Sequence, residues 1–342
     1  IPSSSWTQPR PASAGRGAYA EAQASGQVIA TCRQRLNELF HGENPDHFVF
    51  GLNCSDGLNL AIHGTVRPGD HVITTWMDHN SVLRPLNALR NAGVITYTAV
   101  RVDPVTCVAD PDDICRAIKP NTRLIVMVHG SNVTGTVQHV GAVGRMAREK
   151  GILFCVDAAQ TAGHYPIDVQ ALSIDLLAFP GHKGLLGPLG TGALYIRPGI
   201  EKQLRPHRQG GTGSVSEEAV QPEFMPDKYE SGSHNAIGIA GLSAGVKWVL
   251  DQGVETLCEH DRTLCNIFME GVDGVAGLRY FGPQGIRDRM GVFSVRIEGR
   301  EPAALAARLE EEFGILTRPG LHCAPLAHET IGTDPGRMGT TG

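Results

Sequence analysis

No cluster of lysine and arginine occurs anywhere in the chain, and 30 basic against 35 acidic side chains leave a formal charge of −5. That balance offers no cationic field to nucleic acid or to an anionic membrane surface, so neither is expected as a partner. Long apolar runs are missing too. The longest, Leu124 to Val128 and Gly151 to Val156, fall far short of the roughly 18 residues that cross a bilayer. The eight cysteines include no CxxC pair, and several sit inside apolar segments, such as Cys155 in Phe154-Cys155-Val156. Buried unpaired thiols are the habit of a reducing compartment, and the expected location is the cytoplasm. There is no GxxxxGK[ST], no HExxH and no GxGxxG behind a strand; the run Gly187-Pro188-Leu189-Gly190-Thr191-Gly192 stands before a strand instead. Nucleotide and zinc-protease readings lose their usual support, and no metal site is expected.

What is present is a globular, enzyme-sized chain of 342 residues, 41% of them hydrophobic, with 42 glycines and 21 prolines spread without a period. Apolar residues at helical spacing predict a helix over Ala18 to Phe40, followed by a short strand at Phe48 to Phe50. Strands and helices then alternate. Strands are expected at 72–75, 94–100, 124–128, 153–156, 176–179 and 193–196, with helices over 82–92, 111–118 and 140–150. Because these strands are continuous apolar runs, they imply an α/β fold with a mostly parallel sheet between helices, whose ligands bind beyond the carboxyl ends of the strands. After Asn235 the texture changes to two long helices, strands at 278–281 and 292–297, a helix over 302–313 and a strand at 315–317. This predicts a large domain over residues 1–252 and a smaller α+β domain over 253–342. The polar, glycine-rich span from Gly210 to Ser233 is expected to be a flexible or interface segment.

The chemistry-bearing residues fall at strand ends. One strand runs into Asp157 and the next into Pro180-Gly181-His182-Lys183. A carboxylate and a lysine at adjacent strand ends suit a cofactor with a cationic ring nitrogen and an aldehyde, which is pyridoxal 5'-phosphate: the lysine forms a Schiff base and the aspartate keeps the ring protonated. From these two residues alone, a helix cap and a surface charge remain an open alternative.

With its neighbours, the pattern resembles the class V aminotransferase and cysteine desulfurase family of fold type I pyridoxal phosphate enzymes. The block Asp157-Ala158-Ala159-Gln160-Thr161-Ala162-Gly163-His164, followed by Gly181-His182-Lys183 and Gly187-Pro188, carries the resemblance, which covers nearly all of the chain. The resemblance implies that the segment around Cys54 and Ser55 is the phosphate cup, that His79 stacks on the cofactor ring and moves protons, and that Asn132 and Gln160 face its phenolic oxygen. It also implies that His182 reaches the phosphate, that Asn132 meets the substrate, and that Ser233 contacts the neighbouring subunit's phosphate in a homodimer with a composite site. Two departures stand out. Pro180 replaces the usual hydroxyl residue three positions before the lysine, which removes one phosphate contact. The arginine expected to pair with the substrate carboxylate should follow Gly342, Arg337 being too early, so the smaller domain is expected to be cut short at its C-terminal end.

The stretch Arg318-Pro319-Gly320-Leu321-His322-Cys323-Ala324-Pro325 resembles the active-site loop of the group II, selenocysteine-lyase-like desulfurases. That resemblance implies conversion of L-cysteine to L-alanine, with Lys183, His79, Asp157 and Cys323 as catalytic residues and the sulfur carried on Cys323 as a persulfide for a sulfur-acceptor protein. Arg318 and, when protonated, His322 would lie near the substrate and favour the thiolate. Cys323 as a plain packed thiol, or His322, Cys323 and His328 as metal ligands, are the competing readings of the loop. Competing readings of the whole chain are another class V reaction (aminotransferase, selenocysteine lyase or epimerase) and a non-catalytic dimeric scaffold.

Overall fold

The structure is a computed structural model that describes residue 17, residues 19–334, residue 336 and residues 338–342. The expected helix start at Ala18, and Arg337, lie outside the described residues.

The first helix, α1 (Ala20–Leu39), leads into β1 (Phe48–Gly51), α2 (Cys54–Thr65), β2 (His71–Thr75), α3 (Asn80–Asn91), β3 (Thr96–Val100) and α4 (Pro111–Arg116). Then follow β4 (Thr122–Val128), α5 (Val140–Glu149), β5 (Leu153–Asp157), β6 (Leu176–Pro180), β7 (Gly192–Ile196) and α6 (Ala236–Gln252). The strands form a seven-stranded sheet of order β1-β7-β6-β5-β4-β2-β3. Only β7 runs against its neighbours, pairing antiparallel with both β6 and β1. β2, β5, β6 and β7 are buried at every residue, which explains why they read as unbroken apolar runs: both faces are covered. On one face α1, α5 and α6 bury Leu36, Val143 and Leu242 with Phe40, Phe48, Phe179 and Tyr195; on the other α2 and α3 bury Leu58, Ile62, Val82 and Leu86. The helices therefore lie on both sides of the sheet, as the alternating pattern implies.

Register brings the functional ends together. Val128 pairs with Asp157 and Asp157 with Ala178, so β4, β5 and β6 end at one level. Asp78 ties in β2: its Oδ2 accepts from the Thr74 hydroxyl at 2.8 Å and from the Thr75 N–H and hydroxyl at 2.7 Å, and its Oδ1 accepts from the Val128 N–H at 2.7 Å. Burial pushes this carboxyl up to about 6, against the pull of the Thr74 and Thr75 donors.

Beyond α6, α7 (Val254–Val272), β8 (Leu278–Tyr280), β9 (Val295–Ile297), α8 (Pro302–Phe313), β10 (Pro319–Gly320), α9 (Pro325–Thr330) and β11 (Thr340–Thr341) build a four-stranded sheet of order β10-β11-β9-β8. Here the expected strand at 315–317 is corrected. Gly314 closes α8 in the left-handed conformation, the Ile315 N–H returns to Leu309 O at 2.9 Å, and the strand forms later, at Pro319. The expected strand at 292–297 shortens to 295–297. The span from Gly210 to Ser233 has no helix or strand, yet Glu230 in it is buried and accepts Arg33 at 2.8 Å and the Phe50 N–H at 2.6 Å. No helix among the described residues is long and apolar enough to cross a membrane.

Candidate active site

At the carboxyl ends of β4, β5 and β6 opens a cavity of about 360 Å³ lined by, among others, Cys54, Ser55, His79, Asn132, Asp157, Gln160, His182, Lys183 and Arg318. Its size suits a small cofactor with substrate. A larger concavity of about 960 Å³ runs along residues 209–222, but no lysine, arginine, histidine or cysteine lines it. Its only ionisable lining side chain is Glu218.

Asp157 is the last residue of β5 and is 2% exposed. Its Oδ1 accepts the Ala159 N–H at 2.8 Å and the Cys54 thiol at 3.3 Å; its Oδ2 has no partner among the described residues. No lysine, arginine or histidine forms an ion pair with it among those residues. A buried carboxylate on a cavity wall, without a cation, has an oxygen free to accept the N–H of a protonated ring nitrogen. Cys54 is a contact that sequence reasoning missed. Burial, and then the charge of Asp157, push its thiol well above the usual range, so it stays protonated.

Lys183 follows β6 through a turn closed by the Gly187 N–H on Gly181 O at 2.8 Å and the Leu186 N–H on Lys183 O at 2.9 Å. Gly181 is required there, since a Cβ would stand 2.1 Å from the Thr191 hydroxyl. The Lys183 amine makes no hydrogen bond or ion pair among the described residues, which leaves it available to an aldehyde.

His79 caps α3. Its Nδ1 accepts the Ser81 N–H at 3.0 Å and lies 2.9 Å from the Ser81 hydroxyl, which assigns the ring hydrogen of the neutral form to Nε2. The Ser81 hydroxyl is also 2.6 Å from that of Ser55, so Ser81 joins the start of α2 to His79. Ser81 is a second residue sequence reasoning missed, although a serine two places past a capping histidine is a readable signal. Burial lowers His79 below its ordinary value, and the Lys183 charge pushes the same way while Asp157 opposes it.

The Cys323 turn lies against this cavity. The Asn132 Nδ2 donates to His322 O at 2.6 Å, the Asn80 N–H donates to Cys323 O at 2.8 Å, and the Arg318 Nη2 is 3.2 Å from Cys323 Sγ. His322 and Cys323 both have left-handed backbones, φ 48° and 59°. Each is disfavoured by about 1–2 kcal/mol, so contacts must hold the turn. Cys323, half-buried, does not itself line the cavity, and Arg318 bridges the two. The expectation for His322 needs correction. It is 5% exposed, its Nε2 donates to Arg318 O at 2.7 Å, and burial lowers its ionisation, so it is neither a positive charge nor a cavity residue. Ser233 is exposed and lines a separate cavity of about 190 Å³ with Arg208 and Glu230; one chain alone does not bring it to Lys183. No group of three or more metal-ligating side chains occurs among the described residues.

The aminotransferase class-V sequence profile matches residues 8–338. The chain belongs to the aminotransferase class-V family. Within that family it is 36% identical over 332 residues to a probable cysteine desulfurase of Methanothermobacter thermautotrophicus, a match covering 94% of this chain and 82% of the relative. It is 29% identical to a cysteine desulfurase of Escherichia coli O157:H7, over 90% of this chain and 76% of the other. Among solved structures, the apo cysteine desulfurase of Thermococcus onnurineus superposes with a TM-score of 0.89 at 29% identity, covering 98% of this chain and 82% of that one. A cysteine desulfurase of Escherichia coli superposes with a TM-score of 0.84 at 26% identity, over 95% of this chain and 80% of that one. The class-V fold is thus shared across the whole sheet and the smaller unit behind it.

Proposed function

We propose that this class-V protein is a cysteine desulfurase that uses pyridoxal 5'-phosphate. The observation that carries the reading is the 3.2 Å contact from Arg318, a cavity residue, to the Cys323 sulfur, which joins the Lys183 cavity to a thiol. When bound, the cofactor supplies an aldehyde for the substrate amine and a ring that accepts electrons.

The chain's own residues do the rest. Asp157 Oδ2 would hold the ring-nitrogen proton, with Oδ1 already occupied by Ala159 and Cys54. Ser55, the backbone N–H of Cys54 at the start of α2 and His182 would receive the phosphate, and His79 would lie on the ring. Asn132 and Gln160 would face the phenolic oxygen, and Asn132 and Arg318 the substrate. Lys183 carries protons between the substrate carbons, with His79 as a second carrier. Cys323 attacks the substrate sulfur: the carbon–sulfur bond breaks, a sulfur–sulfur bond forms, and a proton goes to the carbon that lost sulfur. Cysteine and the Cys323 thiol thereby become alanine and a persulfide, which passes to an acceptor protein.

Ser233 would complete the phosphate site of a second copy, so the active form is a homodimer. Residues 1–252 would be the cofactor unit and 253–342 the unit presenting Cys323. Eight cysteines, none of them in a disulfide, support a cytoplasmic location.

Incubating cofactor-loaded full-length protein with cysteine should yield alanine and, by mass spectrometry, a persulfide on Cys323. A different class V reaction with Cys323 as bystander is favoured by one observation, that Cys323 does not line the cavity. Turnover of cysteine with no sulfur on Cys323 would establish that second reading, and absence of any amino-acid turnover would leave a scaffold.

A further inference from the structure

The Arg318–Cys323 contact depends on a turn in which two successive residues adopt a disfavoured left-handed backbone. Something must hold it. Two contacts fix the carbonyls of His322 and Cys323, through Asn132 and Asn80, but neither acts on Arg318. Arg318 is exposed, and among the described residues its backbone bonds only to Gly342, by N–H to O at 2.7 Å and the reverse bond at 3.1 Å, and to the ring of His322.

We propose that His322 is a positioning residue, a neutral strut whose Nε2–H grips Arg318 O across the turn and so keeps the guanidinium on Cys323 Sγ. The carbonyl can only accept, so the hydrogen is on Nε2, and the buried Nδ1 has no partner among the described residues. Behind it stands His328, wholly buried, with its own Nε2 unpartnered and its Nδ1 2.8 Å from the Thr333 hydroxyl. The two rings are 5.1 Å apart at 54°, so His328 packs against the His322 ring. A Cβ on Gly342 would stand 3.1 Å from His322 Cε1, so the ring is enclosed on that side as well. The strut deepens the desulfurase reading and rests on it only for its purpose; the geometry stands without it.

The test compares alkylation of Cys323 by iodoacetate, an anion, and iodoacetamide, which is neutral, in cofactor-loaded protein, following the Cys323 peptide by mass spectrometry. Both reagents need the same thiolate and the same access, so the ratio of their rates reports the positive charge beside the sulfur. Arg318→Gln sets the floor and should lower the ratio by at least about 3-fold. His322→Leu should fall to that floor, while His322→Gln, whose amide N–H can replace Nε2–H, should keep the parental ratio. Leucine and glutamine bear the same left-handed backbone penalty, so their difference isolates the hydrogen bond. If the leucine variant does not fold, His322→Asn serves: asparagine tolerates that backbone better but is too short to reach Arg318 O, and it too should reach the floor.

The parental ratio in the leucine and asparagine variants would overturn the proposal. So would loss of the ratio in the glutamine variant, which would assign the effect to the bulk of the ring, and so would an unchanged ratio in Arg318→Gln. None of these readouts requires alanine. A protein that makes alanine but lacks the pattern loses the strut and keeps its activity assignment; one that shows the pattern without alanine keeps the strut and loses the desulfurase reading.

Discussion

The two sheets are covered to different depths. In the seven-stranded sheet β2, β5, β6 and β7 are buried throughout, whereas β8 and β9 of the four-stranded sheet are at best half-buried. Several buried polar atoms without a hydrogen bond belong to the second region: Ser294 Oγ, Thr317 Oγ1, His322 Nδ1, His328 Nε2 and Thr340 Oγ1. The first region packs on both faces and satisfies its buried carboxylates with hydrogen bonds, as at Asp78 and Glu230. The second holds its cysteine by a handful of polar contacts on a disfavoured backbone.

If that contrast is right, the largest effects come from the first region's chemistry. Lys183→Ala should lower alanine formation by on the order of 10³-fold or more, with borohydride fixing no cofactor label at position 183. A label on another lysine in the parent protein would contradict the assignment. Cys323→Ser should divide the two regions: alanine formation from cysteine should fall by about 10²-fold or more, while cofactor absorbance stays at the parental value. Equal turnover in the two proteins would make Cys323 a bystander.

Stability should show the same contrast. Phe179→Ala removes a wholly buried ring in contact with Phe40 and Phe48, and should destabilise by about 3–5 kcal/mol in denaturant titration. Acid should act next. Burial lowers His71, His129 and His328 from 6.5 to about 4, so the unfolded chain takes up protons that the folded chain refuses between those values. Their contribution is whole above pH 6.5 and is lost as pH falls towards 4, on the order of 3 kcal/mol for each such histidine. A denaturation midpoint unchanged across that interval would refute it. The smallest effect belongs to half-buried Leu278 in β8, where Leu278→Ala should cost about 1 kcal/mol. A loss as large as that of Phe179→Ala would erase the difference between the sheets.

The same difference governs what could be read from the sequence. Strands such as Leu153 to Asp157 and Leu176 to Pro180 are legible because burial on both faces demands an unbroken apolar run, and the residues that end them, Asp157 and Pro180, both line the cavity. Strand β10, only Pro319 and Gly320, carries no such pattern, and the exposed Ile315 and Leu316 mimic one. The roles of Cys54 and His322 were hidden for another reason. They depend on which neighbour a side chain meets across the fold, Asp157 for one and the Arg318 carbonyl for the other, and sequence spacing does not encode that.

Cys54 lines the cavity and Cys323 adjoins it through Arg318, yet the two keep opposite company. Cys54 donates to a carboxylate in a buried wall, and Cys323 sits under a guanidinium. Burial and the Asp157 charge keep the Cys54 thiol protonated, whereas a cation faces the Cys323 sulfur. Under the proposed desulfurase reading, the sign of the neighbouring charge would by itself separate the thiol that takes sulfur from the one that does not.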